Sequence, residues 1–222
     1  MVRVSTFPTD AQDDRFQVLA SLPLRPVGAN RWQGCNLTWY GALLASATVM
    51  GLLFVLTLAA SGGVPAAPML AVLLGLLVLC VPASRLIARV VEKKRHTFTI
   101  GGAFFCGLVL APLLILVING VCWLTAAPFL QGQIVLAALA IGYIIGEGLG
   151  RLACLSFGCC YGKPTAVPWG VTFTNPLAAE NVGTPLDIAL HPTQLYEAGA
   201  ELAILVLLLA TERRGRPFPG RT

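Results

Sequence analysis

Charge is scarce in this chain. Of its 222 residues, 11% are Asp, Glu, Lys or Arg and 56% are hydrophobic. A soluble domain carries roughly 25% charged residues, and a disordered one needs low hydropathy, so both classes are excluded. With a mean hydropathy of +0.78, the composition is that of a polytopic membrane protein. The net charge of +5 also lacks the clustering of a nucleic-acid surface. Its basic residues are scattered or stand near membrane boundaries, where they face anionic lipid. Histidine is scarcer still, with only His96 and His191. Two distant histidines and the adjacent Cys159 and Cys160 lack metal-ligand spacing, so no metal and no cofactor is expected. Met1 to Asn36 lacks the charged start and apolar core of a signal peptide, so the first span is expected to act as the insertion signal. No internal repeat is evident.

What is present is a series of long apolar runs. Five are long enough for a hydrocarbon core, which needs about 20 residues. They cover 37–60, 69–90 (with Pro82 as an expected kink), 101–124, 132–155 and 191–210. The expected fold is an all-α integral membrane protein. It comprises a polar, interfacial segment over 1–36, a membrane domain over 37–210 and a basic, solvated tail over 211–222. Between the last two spans, 157–190 is long for a connection and rich in Gly and Pro. It is read as an ordered arm at the membrane surface, with a short hairpin around Trp169 to Thr174. An odd number of spans puts the amino terminus and the arm on one face. Lys93, Lys94 and Arg95 share that face, and their charge points it to the cytoplasm.

Of the seven cysteines, Cys80, Cys106 and Cys122 lie in apolar runs and read as small buried hydrophobes. Cys159 and Cys160 sit in a glycine-flanked turn. They read as reactive thiols, as members of a disulfide to a cysteine elsewhere, or as small residues filling a tight bend, since neighbouring cysteines bridge each other only with strain.

Ionisable groups inside spans cost free energy and tend to face a cavity or a partner. Glu147 and Arg151 share one helix face, four residues apart. Either they neutralise each other, or the glutamate holds an arginine whose planar fork grips a phosphate. The fifth span opens with His191-Pro192-Thr193-Gln194-Leu195-Tyr196-Glu197. Gln194, Glu197 and Glu201 form a polar stripe there, and a helix start attracts phosphate. A structural cap is the plainer reading, but the density of polar groups favours a site. In the second span, Arg85 sits deeper than Arg89, which snorkels to the interface, and is the weaker cavity candidate. His96 reads as solvated.

These residues carry a family resemblance. Trp39-Tyr40-Gly41, Ser84-Arg85-Leu86, the stretch from Gly150-Arg151-Leu152 to Tyr161-Gly162-Lys163-Pro164-Thr165, and above all the motif from His191 to Glu197 resemble segments of the prolipoprotein diacylglyceryl transferases, over roughly 36–209. That family moves the diacylglyceryl group of phosphatidylglycerol to the thiol of a lipobox cysteine in a prolipoprotein, forming a thioether and releasing glycerol 1-phosphate. The resemblance implies a multi-pass protein of the bacterial inner membrane, in contact with membrane lipids, whose arm admits the peptide. It implies catalytic roles for Arg151, His191, Tyr196 and Glu197, with Arg151 on the donor phosphate. It implies that Tyr40, Gly162 and Gln194 line the lipid site, and the reading of the spans adds Arg85 and Glu147 as further lipid-binding candidates. It places the amino terminus and the arm outside the cytoplasm, against the charge count, and that placement is adopted here.

The chain departs from the family pattern. Cys154 stands where the signature has asparagine, Cys159 where it has glutamate, and Ile100-Gly101-Gly102 where the third span opens with His-Gly-Gly. Two further spans expected after the fifth are not in the sequence, so a separate subunit is a conceivable source of them. Three functions follow: a transferase of this family; a divergent enzyme of the same scaffold using Cys159 or Cys160 as a low-pKa thiol; or a non-catalytic lipid-binding protein. Arg151-dependent transfer would mark the first, lipid-blocked labelling of Cys159 the second, and bound lipid without turnover the third.

Overall fold

A computed structural model describes residues 3–7, 18–28, 31–90 and 100–213, with side chains over 37–87, 89–90 and 104–210. His96, Lys93, Lys94, Arg95 and the tail beyond Arg213 lie outside the described residues. The elements are β1 (Arg3–Phe7), β2 (Val18–Gly28), β3 (Arg31–Thr38), α1 (Trp39–Ser61), α2 (Ala66–Val90), α3 (Ile100–Thr125), α4 (Gly132–Phe157), β4 (Val171–Thr172), α5 (Pro176–Val182), β5 (Ala189–Leu190) and α6 (Thr193–Arg213).

Among the described residues, five helices are long and apolar enough to cross a membrane, over Trp39–Ser61, Ala66–Ile87, Phe104–Thr125, Gly132–Phe157 and Thr193–Ala210. The shortest of them, 18 residues, is about 27 Å long at 1.5 Å per residue, close to the hydrocarbon thickness. Leu74, Leu116 and Leu207, each 60–68% exposed, turn apolar side chains outward, as a lipid solvent permits. The expected five-span architecture is therefore present. Two local features add to it. The amino-terminal segment is a three-stranded antiparallel sheet, ordered β1-β3-β2, that runs without a break into α1. And α6 continues to Arg213, so the first residues of the expected tail are helical.

The chain forms two compact units. One lies between Leu53 and Gly142. Its core is Val55, Ala59, Val64, Met69, Val72, Ile115, Leu130, Val135 and Ala138. Asn119 locks the turn into α4, donating to the Leu130 carbonyl at 3.0 Å and accepting from the Leu130 amide at 2.7 Å.

The other unit combines the sheet, α1 up to Leu52, α4 from Tyr143, the arm and α6. Glycines on α4 let its neighbours approach closely. A Cβ on Gly146 would stand 3.6 Å from the Ala47 carbonyl oxygen of α1, and one on Gly148 would stand 3.4 Å from Cβ of Glu201 on α6. Tyr40 packs edge-on against Phe157, ring centroids 5.7 Å apart. The arm is ordered, as expected, but the hairpin around Trp169 to Thr174 does not form. Instead Val171 pairs with Leu190 and Thr172 with Ala189, and α5 occupies the excursion between the strands. Asn175 caps α5 by accepting from the Leu177 amide at 3.1 Å. The arm is also tied to the end of α4. Asn175 donates to the Phe157 carbonyl at 3.0 Å, and the buried Thr184 hydroxyl donates to the Gly158 carbonyl at 2.8 Å. These bonds satisfy carbonyls that a helix end leaves open.

Candidate functional site

The polar groups of α4 and α6 meet inside this second unit. Tyr143, Glu147, Arg151 and Cys154 follow one another at helical spacing along α4, and Gln194, Glu197 and Glu201 do so along α6. Arg151 joins the helices. Its Nη2 lies 2.8 Å from Glu147 Oε1, and its Nε lies 2.7 Å from Glu197 Oε2. The second contact is one of charge only: Nε is buried and its N–H has no aligned acceptor. Glu147 is 14% exposed and Glu197 is 48% exposed, so one carboxylate is fixed and the other can swing away. Tyr143 hydrogen-bonds Glu147 from one turn earlier. Glu201 Oε2 and Gln194 Oε1 are likewise buried without hydrogen-bond partners.

The motif that opens α6 divides into three tasks. Gln194, 0% exposed, donates from Nε2 to the Cys159 carbonyl at 2.6 Å, and the Thr193 hydroxyl donates to the Cys160 carbonyl. These two side chains clamp the cysteine turn. His191 and Tyr196 form a chain with Trp169 of the arm. Trp169 Nε1 donates to Tyr196 Oη at 2.8 Å, and Oη lies 3.0 Å from His191 Nδ1. An indole N–H can only donate, so Tyr196 Oη is the acceptor in its bond with Trp169, and Oη and His191 Nδ1 share the second hydrogen bond. Glu197 has the third task, reaching Arg151.

The cysteine turn follows from how α4 ends. Gly158 takes φ +95°, a left-handed cap that glycine adopts without cost. Its amide and that of Cys159 both donate to the Cys154 carbonyl, at 2.9 and 3.2 Å. The chain folds back, and the sulfurs of Cys154, Cys159 and Cys160 lie within 4.8 Å of one another. The Cys160 thiol is pulled below its ordinary range by the neighbouring Cys154 and Cys159 thiols and by the Arg151 charge. Cys159, whose thiol donates to the Cys154 carbonyl at 3.9 Å, is pushed up by its two thiol neighbours.

Gly162 sits where backbones touch. Its amide donates to the His191 carbonyl at 3.0 Å, and a Cβ there would stand 2.8 Å from both Cβ and the carbonyl oxygen of His191. Its place in the fold is thus a contact between arm and α6. Tyr40 is half-buried at the start of α1. Arg85 is exposed on α2 and belongs to the other compact unit. Sequence reasoning paired two thiols where the fold gathers three. The signal was present: Cys154 falls three residues after Arg151, on the same helix face. Tyr143 was findable in the same way, one turn before Glu147. Nothing in the sequence marked Trp169.

Comparison with known proteins gives a consistent picture. A family model described as prolipoprotein diacylglyceryl transferase matches residues 28–222. The phosphatidylglycerol–prolipoprotein diacylglyceryl transferase of Clostridium tetani is 42% identical over 78 residues, 33% of this chain and 29% of that protein. The enzyme so named from Phenylobacterium zucineum is 38% identical over 92 residues, 40% of this chain and 30% of its own length. That from Cereibacter sphaeroides is 44% identical over 72 residues, 32% and 25% respectively. The chain thus aligns with under a third of the length of these relatives.

Proposed function

The chain belongs to the prolipoprotein diacylglyceryl transferase family, and on that premise we propose that it transfers diacylglyceryl from phosphatidylglycerol to a lipobox cysteine in the bacterial inner membrane. The observation that carries this reading is Arg151. It is a guanidinium within a membrane span, held from two helices, with a buried N–H still lacking an acceptor. A phosphodiester oxygen supplies that acceptor once the half-exposed Glu197 swings aside, while Glu147 keeps the cation in place. A fixed cation in a low-dielectric site favours the charge that develops on the leaving phosphate.

The acceptor thiol must lose a proton. Tyr196 Oη has a second lone pair beside the one used by Trp169. It takes the thiol proton as its own moves to His191 Nδ1. The thiolate sulfur then attacks the glyceryl carbon, the C–O bond to phosphate breaks, and glycerol 1-phosphate leaves with the electron pair against Arg151. This route needs no group from the Ile100-Gly101-Gly102 segment.

The test supplies labelled phosphatidylglycerol and a lipobox peptide to the purified chain in liposomes and compares it with Arg151→Ala. Transfer by the native chain and a loss of about a hundredfold or more in the variant are expected, the usual size for deleting one transition-state donor. No transfer by the native chain would overturn the proposal. Equal transfer by the variant would overturn the role of Arg151.

A further inference from the structure

The proposed transfer uses none of the three thiols gathered at the end of α4. Cys154 is buried in the last turn of that helix, Cys159 is half-buried and Cys160 is exposed. Their sulfurs nevertheless converge within 4.8 Å of one another. We propose that Cys154, Cys159 and Cys160 bind a single thiophilic d10 cation, Zn2+ or Cu+, as three thiolate ligands.

The geometry is prepared before any ion arrives. Cys160 sits at φ +58°, a conformation that a non-glycine residue adopts only when its surroundings impose it. Here they do. The Cys159 and Cys160 carbonyls are held by Gln194 and Thr193 of α6, and the Cys159 amide is held by the Cys154 carbonyl. With the backbone groups engaged, the side chains of the turn face Cys154. Zinc–sulfur bonds of about 2.3 Å around a tetrahedral ion put the sulfurs roughly 3.8 Å apart. The present spacing reaches this by a contraction of about 1 Å or less.

Charge and softness point the same way. Three thiolates and one Zn2+ sum to −1, and with Cu+ to −2. The Arg151 guanidinium, whose charge bears on Cys160, offsets part of either sum. Three sulfurs with no carboxylate or imidazole among them select soft cations over magnesium or calcium. Coordination converts each S–H to a thiolate and releases its proton to solvent. Because Cys160 is exposed, a three-ligand site leaves a fourth position open on that side. Oxidation satisfies the cluster less well: one disulfide leaves the third thiol over, and a bridge between the adjacent Cys159 and Cys160 is strained.

This inference is independent of the transferase reading, and its test does not measure transfer. The full chain is purified in detergent with a non-chelating reductant and dialysed against micromolar Zn2+ or, anaerobically, Cu+. Retained metal is then measured by mass spectrometry, and free thiols are counted after denaturation. About one equivalent of one of the two ions per chain is expected, and which one is retained identifies the metal. Retention should fall at least tenfold in Cys154→Ser, Cys159→Ser and Cys160→Ser, and persist in Cys122→Ser, a buried thiol of α3. Co2+ loaded into the native chain should show a sulfur-to-cobalt charge-transfer band that Cys160→Ser loses. Because Cys160 is exposed, that variant folds with the least disturbance. Absence of retained metal and of the cobalt band in the native chain would overturn the site. So would retention in all three cluster variants, or a disulfide within the cluster of freshly isolated protein.

Discussion

Arg151 shows how two carboxylates can prepare a cation without consuming it. A buried charge deprived of its partner is strongly destabilising, so an arginine in a span needs a counterion throughout. Glu147, one turn away and mostly covered, supplies it. Glu197 is half-exposed, and an ion pair with so much solvent contact is worth about 1 kcal/mol or less. A phosphate therefore displaces it at small cost. The Trp169–Tyr196–His191 chain has a different task, and its removal should separate binding from chemistry. Tyr196→Phe keeps the ring and deletes the atom that joins Trp169 to His191. Its turnover should fall about a hundredfold, within the range for losing a general base, while the affinity for phosphatidylglycerol stays unchanged. Single-turnover transfer beside equilibrium lipid binding checks both halves. A variant that loses lipid affinity and keeps its turnover would contradict the relay. Half of this chain was legible in advance: His191 and Tyr196 stood out because polar groups crowd the start of an apolar helix. Trp169 did not, because an indole in a loop carries no periodic signal, and its partner lies 27 residues away.

At the scale of elements, the helices were legible and the strands were not, for one reason. A span declares itself by some twenty apolar residues in sequence, whereas a strand of two residues declares itself only through its partner. Pro168 and Gly170 mark a real turn beside Trp169, but the chain leaving it pairs with Ala189 and Leu190. The amino-terminal sheet was hidden because β2 contains Pro23, Pro26 and Gly28, residues that depress strand formation. Its register shifts between Pro23 and Arg25 and again between Pro26 and Gly28, so irregularities absorb them. The junction of arm and α6 offers a test of packing. Gly162→Ala places a methyl 2.8 Å from the His191 carbonyl and 2.9 Å from Thr193 Cγ2. Overpacking of this kind costs about 1–3 kcal/mol. Thermal unfolding in detergent should show a lower midpoint and earlier proteolysis of the arm. Gly107→Ala, where a new Cβ meets nothing within 4 Å, should leave both unchanged. Equal behaviour of the two variants would mean that the close approach at Gly162 does not hold the arm.

For the whole molecule, the open contest is between charge and substrate access. If the five candidate spans among the described residues all cross the membrane, the arm shares a face with the segment before α1, and the end of α6 lies on the other. Lys93, Lys94 and Arg95 pull that first face toward the cytoplasm under the positive-inside rule. The proposed acceptor pulls the other way. A lipobox peptide is presented after secretion, and the turn that ends α4 beside Arg151 is tied to the arm through Asn175 and Thr184. A peptide reaching Arg151 from outside therefore needs the arm outside as well. Glu180 is exposed on α5, and Glu180→Cys provides a probe there in a background where the native thiols are blocked or replaced. A membrane-impermeant maleimide should label it in intact spheroplasts, while a cysteine in place of Arg213, at the end of α6, should react only after permeabilisation. The reverse pattern would show that the basic loop dictates insertion. It would also place Arg151 on the wrong face for a secreted thiol, so the transfer reaction would have to be given up along with the orientation.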